Sequence, residues 1–181
     1  RTVLKIWFLS LLAGSLALQV FTPAPALAAK VEAVGGAATY GAPDGESLAS
    51  PVAAMVSTAD GSGYWIATQA GVVTNFGEAP HFGDMTGTTL NEPIVGMAVT
   101  PTGNGYWLVA ADGGIFSFGG AKFHGSTGHL KLNSPIVGMA TNSDNGYWLV
   151  AADGGVFSFG AAPFYGSMGA TALNRPIVAM Q

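Results

Sequence analysis

Residues 93–126 read PIVGMAVTPTGNGYWLVAADGGIFSFGGAKFHGS, and residues 135–167 read PIVGMATNSDNGYWLVAADGGVFSFGAAPFYGS. The second string is the first with small substitutions and one residue lost ahead of Tyr147. Working outward, residues 51–84 carry a worn version, PVAAMVSTADGSGYWIATQAGVVTNFGEAPHFGD. Pro51, Pro93, Pro135 and Pro176 open the matching segments at spacings of 42, 42 and 41 residues. Self-similarity at a fixed period of this size calls for a repeat architecture before any other reading. The units are therefore residues 51–92 (degenerate), 93–134 and 135–175. The closing PIVAMQ, residues 176–181, is the start of an incomplete fourth. On the other side, GGAATYGAPDGESLASP (residues 35–51) aligns without a gap to GGAKFHGSTGHLKLNSP (residues 119–135). That register sets Tyr40 against His124 and Tyr165, and Gly41 against Gly125 and Gly166. Residues 29–50 thus read as a linker plus an orphan repeat tail, with a strand near residues 37–41.

Each unit reads as short strands joined by turns. Ile94 to Val99 is apolar and strand-like. Asn104-Gly105 is expected to supply the positive φ of a tight hairpin. Tyr106 to Ala111 forms a second strand, Asp112-Gly113-Gly114 a second turn, and Ile115 to Phe118 a third strand. A short fourth strand is expected over residues 122–125. The missing residue of the third unit lies in the first hairpin loop, where an indel costs little. Tyr106 and Trp107 are adjacent, so they point to opposite faces of their strand. They recur as Tyr64-Trp65 and Tyr147-Trp148, which implies that both faces are covered. Phe116 and Phe118, like Phe157 and Phe159, alternate on one face. These ten aromatics are the expected repeat core.

The strings GYWLVAADGG, IFSFG, FYGS and LNRPIV resemble a repeat family of secreted and cell-envelope proteins of actinobacteria. The resemblance spans residues 35–181 and implies a β-propeller, without any catalytic residue to carry over. The first unit departs from the pattern: Ala70 stands where Asp112 and Asp153 do, and Thr74 where Phe116 does. That departure puts its second hairpin in doubt. The expected fold is all-β, a partial β-propeller of about three four-stranded blades. A β-trefoil is the alternative, disfavoured by the beginning of a fourth unit and by the orphan tail.

Composition agrees. With 49% apolar and 9% charged residues the chain is too apolar to be disordered, and 27 glycines suit many tight turns. The absence of Cys excludes disulfides and thiolate metal sites. The first residues form an export signal. Arg1 and Lys5 precede the uncharged run IWFLSLLAGSLAL, and Ala26-Leu27-Ala28 offers small residues for cleavage after Ala28. Residues 1–28 are thus expected to be a signal peptide, the only membrane involvement being export. Beyond it, ten acids face four cations, a net of −6, too acidic for a nucleic-acid surface.

A search for chemistry returns little. His81, His124 and His129 do not recur as histidines. Asp112 and Asp153 are lone acids before Gly-Gly, where a Ca²⁺ loop needs several. Ser126 and Ser167 recur as turn residues, and Tyr165 occupies the place where a nucleophile elbow needs glycine. No catalytic, cofactor or metal residue is assigned. Loops carry function on a fixed scaffold, so the candidate partner-binding loop is the tail of the second unit, with Lys122, His124, His129 and Lys131. The expected function is a noncatalytic exported repeat module that meets protein or glycan outside the cell or at its envelope. The alternative is a hydrolase or lyase propeller, or an accessory to a cell-wall-acting enzyme.

Overall fold

The computed structural model describes residues 40–41 and 48–180. The signal peptide, its cleavage at Ala28 and most of residues 29–50 lie outside the described residues. Within them the chain is all-β, with three three-stranded antiparallel sheets. Sheet one holds β1 (Val52–Ser57), β2 (Gly63–Thr68) and β3 (Val73–Gly77). Sheet two holds β4 (Ile94–Val99), β5 (Gly105–Ala110) and β6 (Ile115–Gly119). Sheet three holds β7 (Ile136–Thr141), β8 (Tyr147–Ala151) and β9 (Val156–Phe159). The strands fall where the β-branched and aromatic runs predict them.

The turns follow side-chain chemistry. In the first hairpin of sheet two the positive φ falls on Gly103 (70°), not on Asn104-Gly105. Thr100 explains this: its hydroxyl accepts the Asn104 N–H at 3.1 Å, and its carbonyl accepts the Gly103 N–H at 2.9 Å. In sheet three the shorter loop moves the left-handed residue to Asn145 (φ 60°). There Asn142 Oδ1 gathers the N–H groups of Asp144 (3.2 Å) and Gly146 (2.7 Å). At the second turn Asp112 Oδ1 accepts the Gly114 N–H at 2.8 Å, and Asp153 does the same for Gly155 at 2.9 Å. Sheet one lacks that Asp but still forms its second hairpin. Thr68 replaces the acid, its hydroxyl accepting the Val72 N–H at 3.2 Å.

Sheet two is covered on both faces. Tyr106, Leu108 and Ala110 pack with Trp65, Ala67 and Val73 of sheet one. Trp107 and Val109, from the opposite face of β5, pack with Tyr147, Leu149 and Ala151 of sheet three. The first strands β1, β4 and β7 lie side by side. One residue after each middle strand ties consecutive units together. Ala111 donates its N–H to the Pro93 carbonyl (2.9 Å), and its own carbonyl accepts the Ile136 N–H (2.8 Å). Gln69 links Pro51 to Ile94 in this way, and Ala152 links Pro135 to Ile177. Residues 176–180 therefore begin along β7 as β7 begins along β4.

The expected fourth strand is absent: residues 121–125 have no regular strand, and neither do 79–83 or 162–166. The physical reason is that side chains take the polar groups a ladder would use. Trp65, Trp107 and Trp148 donate their Nε1–H to the carbonyls of Pro80 (2.8 Å), Lys122 (2.8 Å) and Pro163 (2.7 Å). Pro80 and Pro163 also lack the N–H that pairing requires.

Candidate interaction surfaces

The tails that fail to form strands instead build the seams between sheets. The hydroxyl of Tyr64 donates to the Gly41 carbonyl, Tyr106 to Gly83, and Tyr147 to Gly125. Each acceptor belongs to the preceding tail and each donor to the following sheet. Gly41, Gly83, Gly125 and Gly166 share a φ between 116° and 128°, a conformation L side chains rarely adopt. Two residues beyond its glycine each tail returns to its own sheet: Met85, Thr127 and Met168 donate their N–H to Gly71, Gly113 and Gly154. The aromatic before each glycine seats on a glycine ending the next third strand. Tyr40 packs on Gly77, Phe82 on Gly119 and His124 on Gly160. Tyr40 and Gly41 thus meet sheet one as Phe82 and Gly83 meet sheet two. The tail glycines went unremarked as seam residues in the sequence, although a glycine recurring 22 or 23 residues ahead of each tyrosine was a usable signal.

Burial sorts the ten aromatics. Trp65, Trp107, Tyr106 and Tyr147 are fully buried, and Tyr64 nearly so. Trp148 is only half-buried. Phe116, Phe118, Phe157 and Phe159 are also half-buried and pack against the edges of the two clusters. Burial pushes the Tyr106 and Tyr147 phenols above their usual range. Backbone hydrogen bonds pull weakly the other way, and the charge of Asp84 adds to the rise at Tyr106.

The candidate loop is divided by this packing. Lys122, His129 and Lys131 are exposed, and Phe123 beside them is 60% exposed. His124 is turned into the seam, its ring 5.8 Å from that of Tyr147 and its N–H donated to the Tyr147 hydroxyl at 3.0 Å. Its Nε2 is buried without a partner among the described residues. The loop thus presents two lysines, a histidine and an apolar ring to solvent.

A second surface is the groove of about 570 Å³ along the first strands. Met55, Val56, Val95, Met97, Val137 and Met139 contribute to its wall, and no wall residue is titratable. Elsewhere, Ser167 Oγ accepts the N–H groups of Val156 (3.1 Å) and Gly169 (3.2 Å), a turn role. Asp84 holds the equivalent place in the first unit. Its partial burial raises its pKa, but the N–H and hydroxyl of Thr86, the Val73 N–H and the charge of His81 outweigh that and lower it. Among the described residues no three His, Cys, Asp or Glu side chains gather to hold a metal, and no helix is long and apolar enough to cross a membrane. No protein-family model matches the chain, and no curated protein matches it.

Proposed function

We infer that the chain is an exported, noncatalytic β-propeller module of the actinobacterial envelope repeat type, which binds a protein or glycan partner through its variable tail loops. The observation that carries the reading is the repeated seam. Sheets stack face to face, first strands run side by side, and residues 176–180 take up the next first-strand place. Such stacking supports radial repetition, which in a closed propeller takes roughly 4–8 sheets, over a trefoil. The seam tyrosines and glycines recur in every unit, whereas the tail positions around those glycines differ: EAPHFGDMTG, GAKFHGSTGH and AAPFYGSMGA. A constant scaffold with changing loops is how binding modules carry specificity. The aliphatic groove offers no acid–base pair, which supports binding over hydrolysis. The basic residues Arg1 and Lys5 and the apolar stretch after them support export.

The test is binding to purified envelope polysaccharide and to envelope protein fractions, with a Lys122→Ala/His129→Ala/Lys131→Ala variant as control. These side chains are exposed, so the variant should keep its melting temperature. Loss of binding of roughly tenfold or more is expected, about 1.4 kcal/mol. Release of soluble saccharide from the polysaccharide would sink the noncatalytic reading. Unchanged binding would remove the loop from it.

A further inference from the structure

Each unit leads into the next through one recurring string: Leu90-Asn91-Glu92-Pro93, Leu132-Asn133-Ser134-Pro135 and Leu173-Asn174-Arg175-Pro176. The two ordinary local uses of its asparagine are closed. An Asn side chain commonly bonds the N–H two residues on, but that residue is proline in every string and has no N–H. The next N–H, on Ile94, Ile136 and Ile177, is already held by the carbonyls of Gln69 (2.9 Å), Ala111 (2.8 Å) and Ala152 (2.9 Å). All three asparagines are exposed, so packing does not select an amide there either.

Two of these amides open into matching clefts. The first, of about 370 Å³, has Ser50, Ala70, Leu90, Asn91 and Pro93 in its wall. The second, of about 270 Å³, has Glu92, Asp112, Leu132, Asn133 and Pro135. Each of the latter stands one 42-residue period after its counterpart in the former, and Glu92 lines both clefts. The walls are stiff. Leu90 and Leu132 pack against the two cores. The carbonyls of Pro93 and Pro135 accept the Ala111 and Ala152 N–H groups, each at 2.9 Å. A preformed hollow with aliphatic walls and a few placed polar groups suits a small ligand.

The ligand class follows from what recurs. Charge does not: Ala70 stands in the first cleft where Asp112 stands in the second, and Arg175 takes the place of Glu92 and Ser134 in the third string. The amide, the leucine and the proline do. An amide donates and accepts at once, as a sugar's hydroxyl groups do. Glu92 adds acceptor oxygens, and among the described residues neither cleft is lined by a Lys, Arg or His.

We propose that the two clefts are paired subsites for a neutral polysaccharide. Each seats one sugar residue, its hydroxyls on the Asn91 or Asn133 amide and its C–H face on the leucine and proline. Two subsites on one polymer strengthen each other without any new contact. The proposal rests on the binding part of the proposed function and not on its tail loops, so the two can fail separately.

The full chain is run by affinity electrophoresis through gels holding soluble dextran, galactomannan or arabinogalactan. Retardation by at least one of them is expected. Asn133→Ala should weaken it roughly 3–10-fold, the scale of one hydrogen bond, and Asn91→Ala/Asn133→Ala by more than about tenfold, since both subsites are lost. Asn91→Asp/Asn133→Asp keeps the shape but removes the donors, and should bind as weakly as the alanine pair. Melting temperatures should not change, because these side chains are exposed. Retardation by none of the three polymers, or equal retardation of the alanine pair, would overturn the proposal. So would saturable binding of an oligolysine peptide that Glu92→Gln abolishes, which would make the clefts a cation site. Polysaccharide binding lost in the Lys122→Ala/His129→Ala/Lys131→Ala chain but kept in the alanine pair would uphold the loops and overturn the clefts. Loss in the alanine pair upholds the clefts, whichever way the loop variant behaves.

Discussion

Tyr147 shows how much one side chain does in this fold. Its ring fills the space between Trp107 and Phe159, each 5.5 Å away. Its hydroxyl donates to Gly125 at 2.7 Å and accepts from His124 at 3.0 Å. Tyr106 is its counterpart one sheet earlier. Both phenols titrate above the ordinary tyrosine value of 10.0 because burial disfavours the phenolate. In the unfolded chain the same groups lose their protons near that value, so above it the folded state binds more protons than the unfolded. Stability contributed by the buried phenols is then present below pH 10.0 and falls as pH rises above it. Urea midpoints should decline through that window, with tyrosinate absorbance rising in step with unfolding, and a Tyr106→Phe/Tyr147→Phe chain should show a flatter decline. The tryptophans make a second comparison. Trp107→Ala should cost about 3–5 kcal/mol, while Trp148→Ala, half-exposed, should cost less than half as much. Equal losses in denaturant titration would contradict the difference in burial.

At the scale of elements, the strands were legible because their apolar and aromatic runs are bounded by Gly, Asp and Asn. The tail was misread as a strand for a definite reason. Its alternating residues look extended, but its carbonyls are taken by tryptophan and tyrosine side chains one sheet apart. No local pattern reveals a partner that distant. The first strands raise a different point. Gly138 lies where a Cβ would come within 2.9 Å of the Met180 nitrogen and 3.4 Å of the Ala179 carbonyl carbon, both backbone atoms. Gly138→Ala should therefore push residues 176–180 away from β7 while leaving the ladder of β7 and β8 intact. Amide exchange should report it, with loss of protection at Ile177, whose N–H is bonded to Ala152 at 2.9 Å, and retention at Tyr147 and Leu149. Protection at Ile177 that survives the change would mean that the backbone can accommodate the methyl group.

Across the whole molecule the two ends differ. At one, Tyr40 and Gly41 occupy the seam of sheet one as a preceding tail would, and Tyr64 is buried. At the other, Trp148 is half-buried beside the exposed ring of Tyr165, 6.4 Å away, and Val178 is 81% exposed. The seam consumes His124, which the sequence offered as a partner residue, and leaves Lys122, His129 and Lys131 outside it. The site was only half legible for this reason: nothing in a histidine's own neighbours says whether a glycine of the next sheet waits beneath its ring. The resemblance to envelope repeats bears on function as a proposal, and the loop assay is the measurement that weighs it.

The sequence by itself determined the period, the places of the first three strands of each unit, and the setting of Tyr and Trp on opposite faces. All of these are written locally or by self-similarity, through side-chain alternation and the conformational demands of Gly, Asp and Asn. Only the tertiary structure decided that each sheet has three strands and that the tails bind the next sheet through tyrosine hydroxyls. Those outcomes depend on contacts between residues some twenty positions apart or more, such as Tyr147 with Gly125. There the free energy of burying a ring and satisfying a carbonyl outweighs the local preference of the tail to extend.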